Sequence, residues 1–455
     1  MRTQPALRTL GKFGARCALV GMAATLVMFS LARTAQAVPS FAEQTGQPCS
    51  ACHVGAFGPQ LKQAARDFKL YGYINSDNQD HFPPLAAMVQ TSFTHTNAPQ
   101  SGGAAPGFGP NDNFAADQVS LFYAGRITSE IGAFAQITYD GIQHNFTMDN
   151  IDIRHAREGS LFGSDIVYGV TLNNSPTVQD LWNSTPAWGF PYSSSGLAPT
   201  PAAATLIDGT LAQAVVGAGA YALWNDLVYL ELDAYKGLGR DVRNALGVVP
   251  VSDSNSYDGL IPYWRAALQH EFGQHYVQFG TYGLQANLYP GGDKTAGTTD
   301  QITDTALDAN YQWIADPDDT TSNVVSAHAT YIHEKLDLDA SQQLVGSNPT
   351  NTLSTFRADV SYSIGATYTP SVQYFRTRGS SDAAYWGTAN GSPDSEGIIG
   401  EIAYVPWGKP DSSVTRVNAR LALQYVAYTK FNGTEQGASK NNTIYLNLWV
   451  ALPWR

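Results

Sequence analysis

Hydrophobic and polar residues alternate along most of the chain. In "TIYLNLWVAL" (443–452), Ile444, Leu446, Leu448, Val450 and Leu452 share one side of an extended strand. Thr443, Tyr445, Asn447, Trp449 and Ala451 share the other. "RVNARLALQYVAY" (416–428) sets Val417, Ala419, Leu421, Leu423, Tyr425 and Ala427 against Asn418, Arg420 and Gln424. "FRADVSYSI" (356–364) carries Arg357, Asp359, Ser361 and Ser363 on its polar side. After residue 84 no apolar stretch is long enough for a transmembrane helix. Sixteen strands are predicted between 85 and 453, among them 320–337, 352–365, 395–407 and 415–430.

The connections alternate in length. "ND" at 225–226, "GQ" at 273–274, "DPDD" at 316–319 and "GA" at 365–366 read as tight turns. Between them lie long polar loops at 175–210, 240–259, 289–301, 338–351, 379–394 and 431–440. A soluble sandwich also alternates. Short turns on one rim, long loops on the other and an even strand number instead predict an all-β fold, a sixteen-stranded antiparallel outer-membrane β-barrel. Both termini then lie on the short-turn, periplasmic side, and lipid surrounds the wall. The 24 Tyr and 9 Trp supply interfacial girdles. One long-rim loop, "NSPTVQDLWNSTPAWGFPY" (174–192), holds Trp182 and Trp188. It is expected to fold inward and narrow the lumen. An outer surface loop with exposed aromatics is the alternative.

The amino-terminal residues follow a different pattern. "MRTQPALRTLGKFGARC" is basic, "ALVGMAATLVMFSLA" is apolar, and Ala-Gln-Ala ends at Ala37. Residues 1–37 read as a signal peptide for export; a membrane anchor is the weaker alternative. Cys17 would leave with it. The net charge of −12 becomes about −17 without the leader's five basic residues. Such a chain is a poor partner for nucleic acid. It suits cations or basic proteins, and runs such as "SPDSEG" (392–397) are expected to draw cationic donors.

The remaining two cysteines stand together in "QPCSACHVGAFG" (47–58). Cys-x-x-Cys-His reads as c-type haem attachment, one covalent haem c on Cys49 and Cys52 with His53 as axial ligand. A thioredoxin-like pair lacks a surrounding βαβ pattern, and a zinc half-site lacks a second cysteine pair. "LKQAARDFKLYGY" (61–73) has helical spacing, with Leu61, Ala64, Ala65 and Phe68 on one face. It would cover a haem face or pack on the barrel wall. Residues 38–83 are thus read as a monohaem cytochrome c segment and 84–455 as the barrel. For the distal iron position Met88 is a candidate, because it shares the polar face of its strand with Gln90, Ser92 and Thr94. His81, in the linker, is its rival.

"VPSFAEQTGQPCSACH", "GPQLKQAARDFKLYGY" and the tryptophan loop together resemble the fused monohaem cytochrome c–porin family, of the outer-membrane iron oxidase type. The resemblance implies a cytochrome segment plugging a sixteen-stranded porin. It implies electron transfer from extracellular ferrous iron, or another reduced donor, through haem to a periplasmic carrier, a cytochrome or copper protein. Counted as an enzyme, that is an oxidoreductase. The alternative function is a diffusion porin with a docked or gating cytochrome segment. The chain ends Trp454–Arg455, so the terminal aromatic common in such barrels is penultimate here.

Overall fold

The computed structural model describes residues 39–77, 83–176, 178–185, 188–209, 211–247, 255–412 and 417–453. Residues 1–38, His81 and Trp454–Arg455 lie outside the described residues. The strands are β1 (Leu85–Thr96), β2 (Asn113–Arg126), β3 (Ile131–Asp140), β4 (Asn145–Leu161), β5 (Ser164–Asn173), β6 (Val215–Trp224), β7 (Val228–Gly237), β8 (Ser256–Asp258) and β9 (Leu260–Phe272). They continue as β10 (His275–Tyr289), β11 (Asp300–Ile314), β12 (Val324–Asp337), β13 (Thr350–Ser363), β14 (Tyr368–Gly379), β15 (Ser395–Tyr404), β16 (Asn418–Lys430) and β17 (Thr443–Pro453). β8 and β9 both pair with β10 across the break at Gly259, so they form one stave. Each stave pairs antiparallel with its neighbours, and β1 pairs with both β2 and β17. The result is a closed sixteen-stave barrel without an exposed sheet edge.

The alternation decides which residues face which solvent. Leu421, Leu423, Leu446, Leu448, Leu230, Leu232 and Ile402 are exposed on the outside. Asn418, Arg420, Gln424, Thr443 and Asn447 are buried on the inside. An apolar belt around a polar interior is the inverse of a soluble barrel and fits a wall in lipid. Phenylalanine and tyrosine line the rims. Tyr368 and Tyr404 stack at 5.0 Å near the short turns, and Phe93 and Phe114 meet at 4.7 Å near the long loops. Tryptophan contributes less to the girdles than expected: Trp182 is buried in the lumen and Trp449 sits on an inward-facing position.

The loop rims follow the predicted alternation, with shifted ends. β12 starts at Val324 rather than 320. Asp319 Oδ1 accepts from the Thr321 amide and hydroxyl, both at 2.8 Å, which holds those residues in the turn. One short-rim connection, 405–417, is long. Its Gly408 carbonyl accepts from Ser50 N of the amino-terminal segment described next.

Candidate functional site

Residues 39–77 lie inside the barrel at its short-turn end. They form α1 (Pro39–Thr45), α2 (Cys49–Cys52) and α3 (Gln63–Leu70). Pro48 has the extended conformation before α2, and His53 leaves the single turn in an extended conformation at φ −117°. His53 then makes an antiparallel bridge with Leu61. The reversal between them requires Gly55 at φ +69°, where an added Cβ would stand 2.7 Å from Thr369 Oγ1. The motif is therefore seated directly against the β13–β14 turn.

Its contacts come from three short-rim connections. Ser50 N donates to Gly408 O at 3.1 Å. Lys62 Nζ donates to Ser50 O at 2.9 Å and to Thr320 O at 2.8 Å. Asn418 Nδ2 donates to Ala56 O at 2.8 Å and reaches Cys49 Sγ at 3.3 Å. Cys49 packs with Ala56, Phe57, Ala366, Val405 and Ala451 and is 1% exposed.

Cys49 and Cys52, three apart on one helical turn, are not joined in a disulfide. Burial pushes the Cys52 thiol up to about 11, opposed by Lys62. Burial pushes His53 down to about 4, against a Gly58 backbone hydrogen bond that raises it. His53 is thus neutral, the form that ligates, and its Nδ1 is buried with no hydrogen-bond partner. Two cysteines on one turn followed by a neutral imidazole with an unused ring nitrogen are the residue types that a covalently attached haem would use.

α3 continues the plug along the wall. Ala65, Arg66, Phe68, Lys69 and Leu70 are buried and Ala64 is exposed, so the expected apolar face is only partly right. The barrel interior offers acceptors to charged side chains, and these decide the rotation. Arg66 Nη1 donates to Leu61 O at 2.8 Å, and its guanidinium lies 3.7 Å from the Tyr276 ring centre. Lys69 Nζ donates to Asp180 O at 2.5 Å and to Asn183 Oδ1 at 3.0 Å. Tyr73 Oη donates to Asp152 Oδ2 at 2.6 Å, and Arg154 Nε donates to the same oxygen at 2.8 Å.

The loop between β5 and β6 folds inward, as its tryptophans suggested. Asp180 Oδ2 accepts from the Ser184 and Thr185 amides at 2.8 and 3.0 Å, which closes its tip. Trp182 Nε1 donates to Tyr276 Oη at 2.5 Å, and Ile207 N donates to Asp304 Oδ2 at 2.8 Å. Leu206, Ile207 and Leu211 pack with Tyr235, Tyr263 and Tyr282 of the wall into an apolar core inside the barrel. Lumen-facing carboxylates thus tie the loop down.

No family model matches the chain, and no curated protein matches it. Solved outer-membrane proteins share the barrel. OmpF of Salmonella typhi is 12% identical at a TM-score of 0.45, covering 81% of this chain and 97% of that one. OmpT of Vibrio cholerae is 10% identical at 0.41, over 81% and 96%. The anion-selective porin of Comamonas acidovorans is 10% identical at 0.42, over 81% and 98%.

Of the expected site residues, Cys49, Cys52 and His53 are brought together at the short-turn end. Met88 faces the lumen, 6% exposed, and packs with Ala86, Phe122 and Ala124. Its cross-strand partner Ala451 belongs to the cluster around Cys49. His81 cannot be located, being outside the described residues. The roles of Asn418 and Lys62 in holding the motif went unnoticed in the sequence. Asn418 did carry a signal, its place on the polar face of β16.

Proposed function

We propose that this chain is an outer-membrane electron conduit of the fused cytochrome–porin type. The observation that carries the reading is Cys-x-x-Cys-His seated at one end of a barrel whose lumen is filled by the chain itself. Cys49 and Cys52 would hold the haem by thioether links and His53 would ligate its iron. A haem held there supplies one-electron redox chemistry. The protein's own part is to exclude water, fix the imidazole as the neutral ring, and carry the site through a ~30 Å apolar layer that otherwise blocks both ions and electrons.

The leader exports the chain, and the short-turn rim with both termini faces the periplasm. Ferrous iron, or another reduced donor, gives one electron per ion from the long-loop side. A periplasmic cytochrome or copper protein accepts it at the short-turn rim. Met88 and His81 are the distal-ligand candidates drawn from the sequence.

The porin-type barrel favours a second reading, a diffusion pore with a docked cytochrome segment. The apolar core formed by Leu206, Ile207 and Leu211 inside the lumen speaks against it. Pyridine haemochrome assay of the purified protein is expected to give one haem c per chain, impaired by Cys52→Ala. Stopped-flow mixing with ferrous iron and a panel of other reductants then identifies the donor. Haem that extracts fully into acid acetone would remove the conduit reading.

A further inference from the structure

Cations gather on the lipid-facing side of β12–β14, near the long-loop rim. The alternation of β12 turns Tyr331, His333 and Lys335 outward, away from the buried Ile332, Glu334 and Leu336. It turns Ser354 and Phe356 outward on β13, and Tyr374, Arg376 and Arg378 outward on β14, where Gln373 is buried. Register sets these side by side. Tyr331, Phe356, Arg376 and Glu396 of β15 form one row across the wall. His333, Ser354 and Arg378 form the next row toward the rim, and Lys335 lies in the row beyond.

The rows stand at the depth of the lipid headgroups. The rings of Phe356 and Tyr374 lie 6.2 Å apart and, with Tyr331, make a segment of the interfacial aromatic girdle. On the side away from the rim, Val360, Val372 and Ile398 are exposed to lipid. On the other side the strands end, β12 at Asp337 and β14 at Gly379.

The polar groups in these rows converge on Ser354. Tyr331 Oη donates to Ser354 Oγ at 3.2 Å, and His333 Nδ1 lies 3.1 Å from the same oxygen. The cations beside them are loosely engaged. Arg376 Nε stands 3.9 Å from Glu396 Oε2, Lys335 Nζ pairs with Asp337 at 2.8 Å on the surface, and Arg378 is exposed. Exposed ion pairs of this kind hold their members weakly, so the guanidinium and ammonium groups remain open to another anion. The next strands around the wall differ. On β10 and β11 the outward positions near this rim are the neutral Gln285, Asn287, Gln301 and Thr303. A local excess of cations on the lipid side stands out in a chain of net charge −12.

Two arginines on one strand face present planar forks that match phosphate oxygens, and Lys335 adds a point charge one row on. The long-loop rim faces the outer leaflet, whose characteristic lipid is a glycolipid with phosphates on its sugars. We propose that Lys335, Arg376 and Arg378 bind the phosphates of outer-leaflet lipopolysaccharide, with its acyl chains lying over Val360, Val372 and Ile398. The site depends on the barrel and its orientation and not on the haem reading.

The test is native mass spectrometry of the full mature protein in detergent, titrated with purified lipids. Diphosphoryl lipid A is expected to be retained, and enzymatically dephosphorylated lipid A with the same acyl chains to be lost at the same activation energy. Lys335→Gln with Arg376→Gln and Arg378→Gln should weaken diphosphoryl lipid A by about tenfold or more. Lys236→Gln with Lys440→Gln, on other strands of the same rim, should leave it unchanged. Heat-modifiable gel migration checks that each barrel is folded. Equal retention of the phosphorylated and dephosphorylated lipids by wild type overturns the proposal without any variant, since the acyl chains alone then account for binding. Equal retention of phosphatidylglycerol, or displacement of lipid A by millimolar inorganic phosphate, overturns the assignment to the glycolipid. Wild-type affinity in the triple variant, or an equal loss in the Lys236 and Lys440 variant, overturns the assignment to β12–β14.

Discussion

The side-chain amide of Asn183 donates to the Pro59 carbonyl at 2.8 Å, so the inward loop and the amino-terminal segment meet inside the barrel. Lys69 adds two more bonds across the same junction. The lumen thus has two plugs, each with its own contacts to the wall. In planar bilayers, wild type should show conductance far below that of an open sixteen-stranded pore. Removing residues 39–77 should raise it only in part, because the loop remains. Replacing 175–209 with a short Gly-Ser linker as well should give full open-pore steps. Large steady steps from wild type would contradict the two-plug arrangement.

Asp152 anchors the other end of the segment. Its carboxylate accepts from Tyr73, Arg154 and Thr171, and both Asp152 and Arg154 are inaccessible at the side chain. Asp152→Ala would strand a buried guanidinium, which typically costs about 3–5 kcal/mol. Asp152→Asn keeps an acceptor oxygen and should lose less. Urea titration followed by heat-modifiable migration reads both. A midpoint unchanged in Asp152→Ala would mean that Arg154 is held by Lys69 and Gln179 carbonyls alone.

The barrel was legible because two solvents act on a period of two. Leu446 and Leu448 meet lipid while Tyr445 and Asn447 meet a packed, polar lumen, and "TIYLNLWVAL" shows that directly. The plug was less legible. A helix in water should bury Ala64 and expose Lys69, yet α3 does the opposite, since Asp180 O and Asn183 Oδ1 lie more than a hundred residues away in sequence. The motif itself needed no tertiary information.

Asp67 on α3 gives the plug a pH dependence. Burial pushes its carboxyl up to about 6, against the pull of Arg66 and of Gln63, whose Nε2 donates to it at 2.6 Å. The unfolded value is near ~3.9. Between these, the folded chain binds more protons than the unfolded one, so this contribution is fully present below about 4 and is lost as pH rises through about 6. Asp67→Asn keeps the acceptor for Gln63 and cannot ionise. Its urea midpoint should exceed that of wild type at about pH 7.5 and match it at about pH 4. A variant weaker than wild type at the higher pH would show that the Arg66 attraction outweighs burial.

The two rims differ in charge, and this bears on the acceptor. Asp226, Glu271, Asp316, Asp318, Asp319 and Asp411 stand exposed on the short-turn rim. The bases there are withdrawn or paired: Lys62 is buried, Lys409 is half-buried and bonded to Thr367 Oγ1, and exposed Arg157 pairs with Glu130 at 3.1 Å. The long-loop rim is mixed, with Arg240, Lys294, Lys335 and Lys440 among Asp241, Asp293, Asp337 and Glu435. The acidic excess expected to draw cationic donors therefore lies mainly at the opposite end from the long loops. Asp316–Asp319 adjoin Thr320, which touches Ser50 and Lys62, so that charge flanks the Cys-x-x-Cys-His motif. A carrier with a basic face is steered to this rim by long-range attraction, which salt screens over a Debye length of about 10 Å at 0.1 M. Electron delivery to a basic cytochrome c, followed by stopped flow, should slow about tenfold or more from low to ~0.5 M salt. Asp318→Lys with Glu271→Lys and Asp411→Lys should slow it at low salt to a similar degree. Asp241→Lys with Glu435→Lys, on the long loops, should leave it unchanged. Equal rates with a basic and a succinylated, acidic cytochrome c would sink the idea that this rim selects its partner by charge.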